Sequence, residues 1–133
     1  MNEALIEKSK KLAFAYLENS YAPYSKFHVS AVVFGNDVFY PGVNVENASF
    51  GLTNCAERSA MFNAYTHGER KDDLLGIVIV SNANKLTYPC GACRQVMIEL
   101  LNKNCDVIIT NKKEEKRLKV EDLLPDAFSE EDL

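Results

Sequence analysis

The sequence predicts an α/β fold, a mixed five-stranded sheet covered by helices, and three observations carry that expectation. Ile77-Val78-Ile79-Val80 is a continuous apolar run, typical of a strand buried on both faces. Gly35-Asn36-Asp37 is turn chemistry between two strand-like runs, which makes a hairpin. About six residues separate the run Asp106 to Thr110 from Arg117-Leu118-Lys119-Val120. So short a link joins only antiparallel strands, because a parallel crossover needs about a dozen residues or more.

The elements follow in order. Glu3 to Asn19 reads as an amphipathic helix, with Leu5, Leu12, Ala13, Tyr16 and Leu17 at helical spacing. Tyr21-Ala22-Pro23-Tyr24 breaks it. His28 to Phe34 alternates as a strand does, and Val38 to Val43 returns as its hairpin partner. Asn44 to Thr53 is rich in Asn, Ser, Thr and Gly, has no period, and reads as a loop. Asn54 to His67 is helical, with Gly68 as a stop. Leu74 to Ser81 is a strand, Gly91 to Asn102 a helix with Val96, Leu100 and Leu101 on one side, and Asp106 to Thr110 a second buried strand. No linker, repeat or low-complexity stretch divides residues 1–133, so one domain is expected. The acidic tail Ser129-Glu130-Glu131-Asp132-Leu133 is expected to fray beyond Phe128.

The totals narrow the function classes. A chain of 133 residues buries a core without covalent staples. No apolar run approaches the roughly 20 residues that span a bilayer, so no membrane partner is expected. The amino terminus, Met1-Asn2-Glu3-Ala4-Leu5-Ile6-Glu7, is acidic and amphipathic, unlike a secretory signal or a transit peptide. A cytoplasmic location follows as an expectation, and in a reducing compartment four cysteines point to metal binding before disulfides. A net charge of −4 argues against a nucleic-acid partner. The basic cluster Lys112, Lys113, Lys116 and Arg117 is offset by Glu114 and Glu115 at a hairpin tip, so a small neutral substrate fits better.

Chemistry concentrates in two segments, Cys55-Ala56-Glu57 and Pro89-Cys90-Gly91-Ala92-Cys93. Both sit where the chain enters a helix, and the first helical turn, with unpaired N–H groups and partial positive charge, stabilises a thiolate. Two such turns converging would place Cys55, Cys90 and Cys93 around one zinc ion per chain. Cys90 and Cys93 stand i to i+3, on one side of their turn. Three protein ligands leave a tetrahedral zinc one open position, where water can be activated. Glu57 is placed to move that water's proton. Three thiolates give the inner shell a charge of −1, and Arg58 and Arg94 are the candidates to offset it. Arg58 is the expected partner of a ligand sulfur. A structural zinc would need a fourth ligand, yet Cys105 opens a strand beyond a helix and suits a buried thiol, while His28 and His67 lack ligand spacing to any other candidate. A lone Cys-x-x-Cys would also suit a redox pair; Glu57 and Cys55 set it apart.

These residues resemble the signature of the zinc-dependent deaminases: a His or Cys ligand followed by x-Glu, then a later Pro-Cys-x-x-Cys. Within that superfamily the chain resembles the small, homotetrameric, three-cysteine cytidine deaminases over about Leu12 to Asp132. The segments that carry the resemblance are Tyr21 to Phe27, Gly42 to Ala48, Cys55 to Arg58, Pro89 to Val96 and Leu123 to Phe128. It implies a three-layer α/β/α fold and hydrolytic deamination of cytidine and deoxycytidine to uridine and deoxyuridine. Zinc-bound hydroxide would attack C4 while Glu57 shuttles protons. It further implies that Asn44 and Glu46 bond the ribose 3′-hydroxyl and that Phe27 packs on the pyrimidine. The Ala56 N–H would meet the pyrimidine carbonyl and the Cys90 carbonyl the exocyclic amine, with Phe128 reaching into a neighbouring subunit's site. Many relatives carry Tyr where this chain has Phe50, so Phe50 stays outside the expected site. A deaminase of a modified aminopyrimidine nucleoside, such as a blasticidin-type compound, keeps the same chemistry and is the alternative.

Overall fold

In the computed structural model, which describes residues 2–133, five strands form one sheet: β1 (Val29–Gly35), β2 (Val38–Val43), β3 (Leu74–Ser81), β4 (Asp106–Thr110) and β5 (Glu115–Lys119). Their order is β2-β1-β3-β4-β5. β3 and β4 run parallel, and every other neighbouring pair is antiparallel. The helices are α1 (Glu3–Tyr16), α2 (Ala56–Thr66), α3 (Gly91–Leu100) and α4 (Val120–Leu123). α3 lies in the β3–β4 crossover, the kind of connection a parallel pair requires.

Strand alternation divides the core in two. Val29, Ala31, Val33, Ile77, Ile79, Val107 and Ile109 pack with Ala56, Ala60, Met61 and Ala64 of α2, Met97 of α3 and the α4 residues Val120 and Leu123. Val32, Phe34, Val78, Val80 and Ile108 meet Ile6 and Ala13 of α1 on the other face. The result is three layers, with the Ile77–Val80 run buried on both sides. Burial of a large apolar side chain contributes roughly 1.5–3 kcal/mol, so this double core anchors whatever the sheet carries.

Several boundaries shift by one or two residues, α2 starting at Ala56, α3 ending at Leu100 and β5 starting at Glu115, and three departures have a clear structural content. α1 ends at Tyr16, and a single 3₁₀ turn, Leu17–Asn19, completes the stretch expected to be helical. Val120, expected to end a strand, instead opens α4: the Lys119 N–H donates to the Asp122 carboxylate at 2.9 Å, and Val120 and Leu123 are buried. A helix of four residues is too short to show a period. The tail is corrected as well. Beyond Phe128 it forms a 3₁₀ turn, Glu130–Asp132, because Ser129 caps it: the Glu131 N–H donates to Ser129 Oγ (3.3 Å) and the Ser129 N–H to Asp132 (2.9 Å). No helix among the described residues is long and apolar enough to cross a membrane.

Gly42 sets the distance between β2 and α2. A Cβ there would fall 2.2 Å from the Ala60 nitrogen and 2.8 Å from the Ala56 carbonyl oxygen. The strand therefore lies directly against the helix backbone, and the amino terminus of α2 is fixed to the sheet.

Candidate active site

Cys55 and Cys90 are each the last extended residue before a helix, with φ/ψ of −76°/153° and −69°/171°. The Cys55 carbonyl accepts from Ser59 (3.1 Å) and the Cys90 carbonyl from Arg94 (3.0 Å), which starts each helix at its cysteine. The approach to Cys55 is braced: Val45 and Asn54 exchange N–H···O bonds of 3.0 Å in both directions across the loop, and Asn54 then hands over to Cys55. Cys93 sits in the first turn of α3, fully buried.

The three sulfurs lie within 4.8 Å of one another, and Cys55 and Cys90 are 3.8 Å apart. A tetrahedral zinc with Zn–S bonds of about 2.3 Å separates neighbouring sulfurs by about 3.8 Å, so the triad fits that ion. Its electrostatics agree. Hydrogen bonding from Cys93, then from Arg58 and Cys90, outweighs burial and holds the Cys55 thiol down to about 5. The same pairing with Cys55, followed by burial, pushes the Cys93 thiol up. The pairing thus favours the thiolate at Cys55 and opposes it at Cys93, and a divalent ion held by the sulfurs would favour the thiolate form of its ligands. Arg58 Nη2 donates to Cys55 Sγ at 3.3 Å, and its own Nε is buried with no partner. Arg94 does not reach the sulfurs. Its guanidinium bonds the carbonyls of Pro89 and Leu123 instead.

Glu57 occupies the first turn of α2 and is 5 % exposed. Burial pushes its carboxyl up to about 7; its own backbone N–H and Arg58 oppose the shift, and Cys55 adds to it. A carboxyl titrating near neutrality can both take and return a proton there. Ala56, completely buried, is the first helical residue, whose N–H has no acceptor within the helix.

Asn44 and Glu46 lie in the loop that follows β2, with Phe27 beside Asn44, whereas Phe128 is bonded to α3, its carbonyl accepting from Gln95. Asn44 and Glu46 are buried, at 7 % and 9 % exposure. Asn44 is largely committed to the chain: Oδ1 accepts from Val29 N–H (2.9 Å) and from Ser20 Oγ, and Nδ2 donates to the Phe27 carbonyl (2.8 Å). Glu46 accepts from the N–H groups of Tyr24 (3.0 Å) and Ser25 (3.2 Å) and from the Ser25 hydroxyl. Bonding from Ser25, chiefly its hydroxyl, with Tyr24 adding, holds this carboxyl below its usual range. Phe27, which periodicity would assign to the core, is exposed, and Phe128 more so. Cys105, just before β4, is buried in the core with Met97 and Leu101 and donates to the Leu74 carbonyl at 3.4 Å, outside the triad.

Sequence reasoning placed Gly42 and Ser25 within segments that carry the resemblance but gave neither a role. The signal for Gly42 was present, a glycine within a strand facing Ala56 and Ala60 at helical i, i+4 spacing. Nothing in the sequence marks Ser25 as the hydroxyl that grips Glu46.

Comparison with known proteins agrees with this geometry. Residues 4–109 match the family described as the cytidine and deoxycytidylate deaminase zinc-binding region. A cytidine deaminase of Halalkalibacterium halodurans is 44 % identical over 125 residues, covering 92 % of this chain and 93 % of that protein. One from Sporosarcina psychrophila is 43 % identical over 133 residues, covering 98 % and 93 %. Among solved structures, the cytidine deaminase from Burkholderia pseudomallei superposes with a TM-score of 0.88 at 45 % identity, over 92 % of this chain and 98 % of that one. With three sulfurs spaced for zinc and a buried glutamate beside them, the chain belongs to the cytidine and deoxycytidylate deaminase family.

Proposed function

We propose that this chain, as a single domain over residues 1–133, is a zinc-dependent hydrolase that deaminates cytidine and deoxycytidine to uridine and deoxyuridine with release of ammonia. The observation that carries the reading is the buried Glu57 two residues beyond a ligand of the Cys55, Cys90 and Cys93 triad. Zinc held by the three thiolates supplies Lewis acidity and an activated water. Glu57 takes a proton from the attacking water and delivers it to N3 of the pyrimidine, which makes C4 electrophilic as the water oxygen adds there. The same carboxyl then carries the second proton to the 4-amino group, so that ammonia leaves. Arg58 offsets the net negative charge of three thiolates on a divalent ion.

Substrate is held, on this reading, by Asn44 and Glu46 at the ribose 3′-hydroxyl, Phe27 on the ring, the Ala56 N–H at the pyrimidine carbonyl and the Cys90 carbonyl at the exocyclic amine. A homotetramer with Phe128 entering a neighbour's site belongs to the same reading, and Phe27, Phe50, Leu52 and Phe128 are exposed apolar side chains that such contacts would cover. A cytoplasmic role in pyrimidine salvage accords with this chemistry.

The test is ultraviolet absorbance of cytidine and deoxycytidine with purified protein, alongside zinc content. Loss of the cytosine band is expected, with about one zinc per chain, a single triad's complement. Chelation should stop turnover and added zinc restore it. A fully active metal-free protein would refute the zinc role.

A further inference from the structure

Asn44 is proposed above to meet the ribose 3′-hydroxyl, and the bonds behind it decide what its amide can offer there. Oδ1 accepts from the Val29 N–H (2.9 Å) and from the Ser20 hydroxyl, which fills both lone pairs of an amide oxygen. Nδ2 donates to the Phe27 carbonyl (2.8 Å) and keeps a second N–H. The amide can therefore address a sugar only as a donor. Glu46 is its complement. Oε1 accepts from the N–H groups of Tyr24 and Ser25 and Oε2 from the Ser25 hydroxyl, which leaves Oε2 the capacity to accept one more hydrogen.

Ser20 is itself held in place. Its N–H donates to the Leu17 carbonyl (3.2 Å) at the end of the 3₁₀ turn, and its hydroxyl oxygen lies 2.9 Å from Nδ1 of His28. The direction of that second bond follows from the supply of hydrogens. Oδ1 of Asn44 carries none, so the single hydroxyl hydrogen of Ser20 goes to it, and Nδ1 of His28 must be the donor to Oγ. Asn82 clamps the histidine from behind: its Oδ1 accepts from the His28 N–H (3.0 Å), and its own N–H donates to the His28 carbonyl (3.2 Å). Ser20 and Asn44 are buried and His28 is half-buried, and aligned bonds away from water strengthen one another.

We infer that Ser20 and His28 are positioning residues for sugar recognition: His28 orients the Ser20 hydroxyl, and the hydroxyl closes the Asn44 oxygen so that the amide presents only its N–H to the 3′-oxygen. Both act through Asn44. This role rests on the reading of Asn44 and Glu46 proposed above and adds a specificity to it. The subsite takes a 3′ group that accepts one hydrogen bond from Asn44 and donates another to Glu46, which a hydroxyl does and a 3′-deoxy carbon does not.

Steady-state kinetics with cytidine and 3′-deoxycytidine test the role, because the second nucleoside controls for folding and zinc loading in each variant. The wild type should prefer cytidine in kcat/KM by about a hundredfold or more, since the analogue leaves two buried polar groups unpaired. Ser20→Ala should cut that preference by about fivefold, the scale of one neutral hydrogen bond. The loss should lie in KM for cytidine, with kcat and the kinetics of 3′-deoxycytidine within about twofold of wild type. His28→Leu should cut the preference by about threefold, and the double variant should be no worse than Ser20→Ala, because the imidazole works only through the hydroxyl. Equal losses on both nucleosides in Ser20→Ala would make Ser20 a support of the fold and overturn the inference. So would an unaltered preference in His28→Leu, or losses that multiply in the double variant. Failure of the sugar reading looks different: the wild type itself would treat the two nucleosides alike, and the role of Ser20 and His28 would fall with it.

Discussion

Around Cys55, Cys90 and Cys93 the functional groups are held from behind by buried structure, whereas the aromatics proposed to meet the substrate, Phe27 and Phe128, stand 38 % and 59 % exposed. The first region is built on two helix starts fixed to the sheet: Ala56, Ala60 and Met61 of α2 and Met97 of α3 are wholly buried in one core. The second is built on loop and tail, where Phe50 meets Tyr24 edge-on at 6.1 Å and Leu52 is 71 % exposed. The difference separates two requirements. Proton transfer needs a dry carboxyl at a set distance from a metal, which one chain's core can supply. Recognition of a ring and a sugar needs apolar surface that becomes covered only in the complex, and a single chain leaves that surface open.

The largest expected effect falls on the rigid region. Glu57→Ala should lower kcat by on the order of 10³-fold, within the range for loss of a general acid–base group. Zinc content by atomic absorption should stay at the wild-type level, because the carboxylate is not among the sulfur ligands. Substantial turnover in this variant would remove Glu57 as the proton shuttle and require another group to move the proton.

Next comes the brace under that region. Gly42→Ala places a methyl where the Ala60 nitrogen would be 2.2 Å away, so β2 and α2 must part. Overpacking against backbone costs about 3 kcal/mol, at the upper end of the usual range. Thermal unfolding should show the loss, and zinc affinity should fall with it, since Cys55 opens α2. Unchanged stability would mean that the sheet does not set the position of the site.

The two regions also differ in how far the sequence disclosed them. The double-faced burial of Ile77–Val80, the hairpin at Asn36-Asp37 and the convergence of two helix starts were all legible, because each follows from local pattern or from the spacing of ligand types. The exposure of Phe27 was not, since an aromatic beside a strand has the same local signal whether it faces core or solvent. Nor was the ordering of the tail: its cap uses Ser129 and Asp132, which in an acidic run read as solvated charge. Asn44 and Glu46 were recognisable as polar loop residues, but not the internal bonds from Ser20, Ser25, Tyr24 and Val29 that keep them buried. Those bonds depend on chain segments brought together only by the fold.

A smaller effect separates the carboxyl's burial from its chemistry. In metal-stripped protein Glu57 titrates near 7 against an ordinary 4.5, so folding favours the protonated form. Stability from this group is therefore full below about 4.5, erodes as pH rises and is lost once pH has passed about 7. Glu57→Gln has no proton to lose. Stripped of metal, the variant should match the wild type at pH 4 and exceed it at pH 9 by up to roughly 3 kcal/mol, the size of the full shift. Chemical denaturation of both proteins across that range measures it. A constant difference would mean that water reaches the carboxyl and that the centre is not dry.

The smallest expected effect lies at the open surface. Phe128→Ala removes a ring that is mostly in solvent, so the unfolding midpoint measured at low protein concentration should stay within about 0.5 kcal/mol of wild type, as for other surface substitutions. On the reading proposed here the ring is covered only in the assembled, substrate-bound state, and its loss should raise KM by about tenfold, one buried contact's worth, with kcat changed less. Activity against protein concentration distinguishes two ways of reaching that result. If KM rises while specific activity stays constant on dilution, the ring acts on substrate within an intact assembly. If activity falls on dilution in the variant alone, the ring first serves to hold subunits together. An unchanged KM at every concentration would confine Phe128 to the single chain and leave the exposed aromatics around the site without a role in recognition.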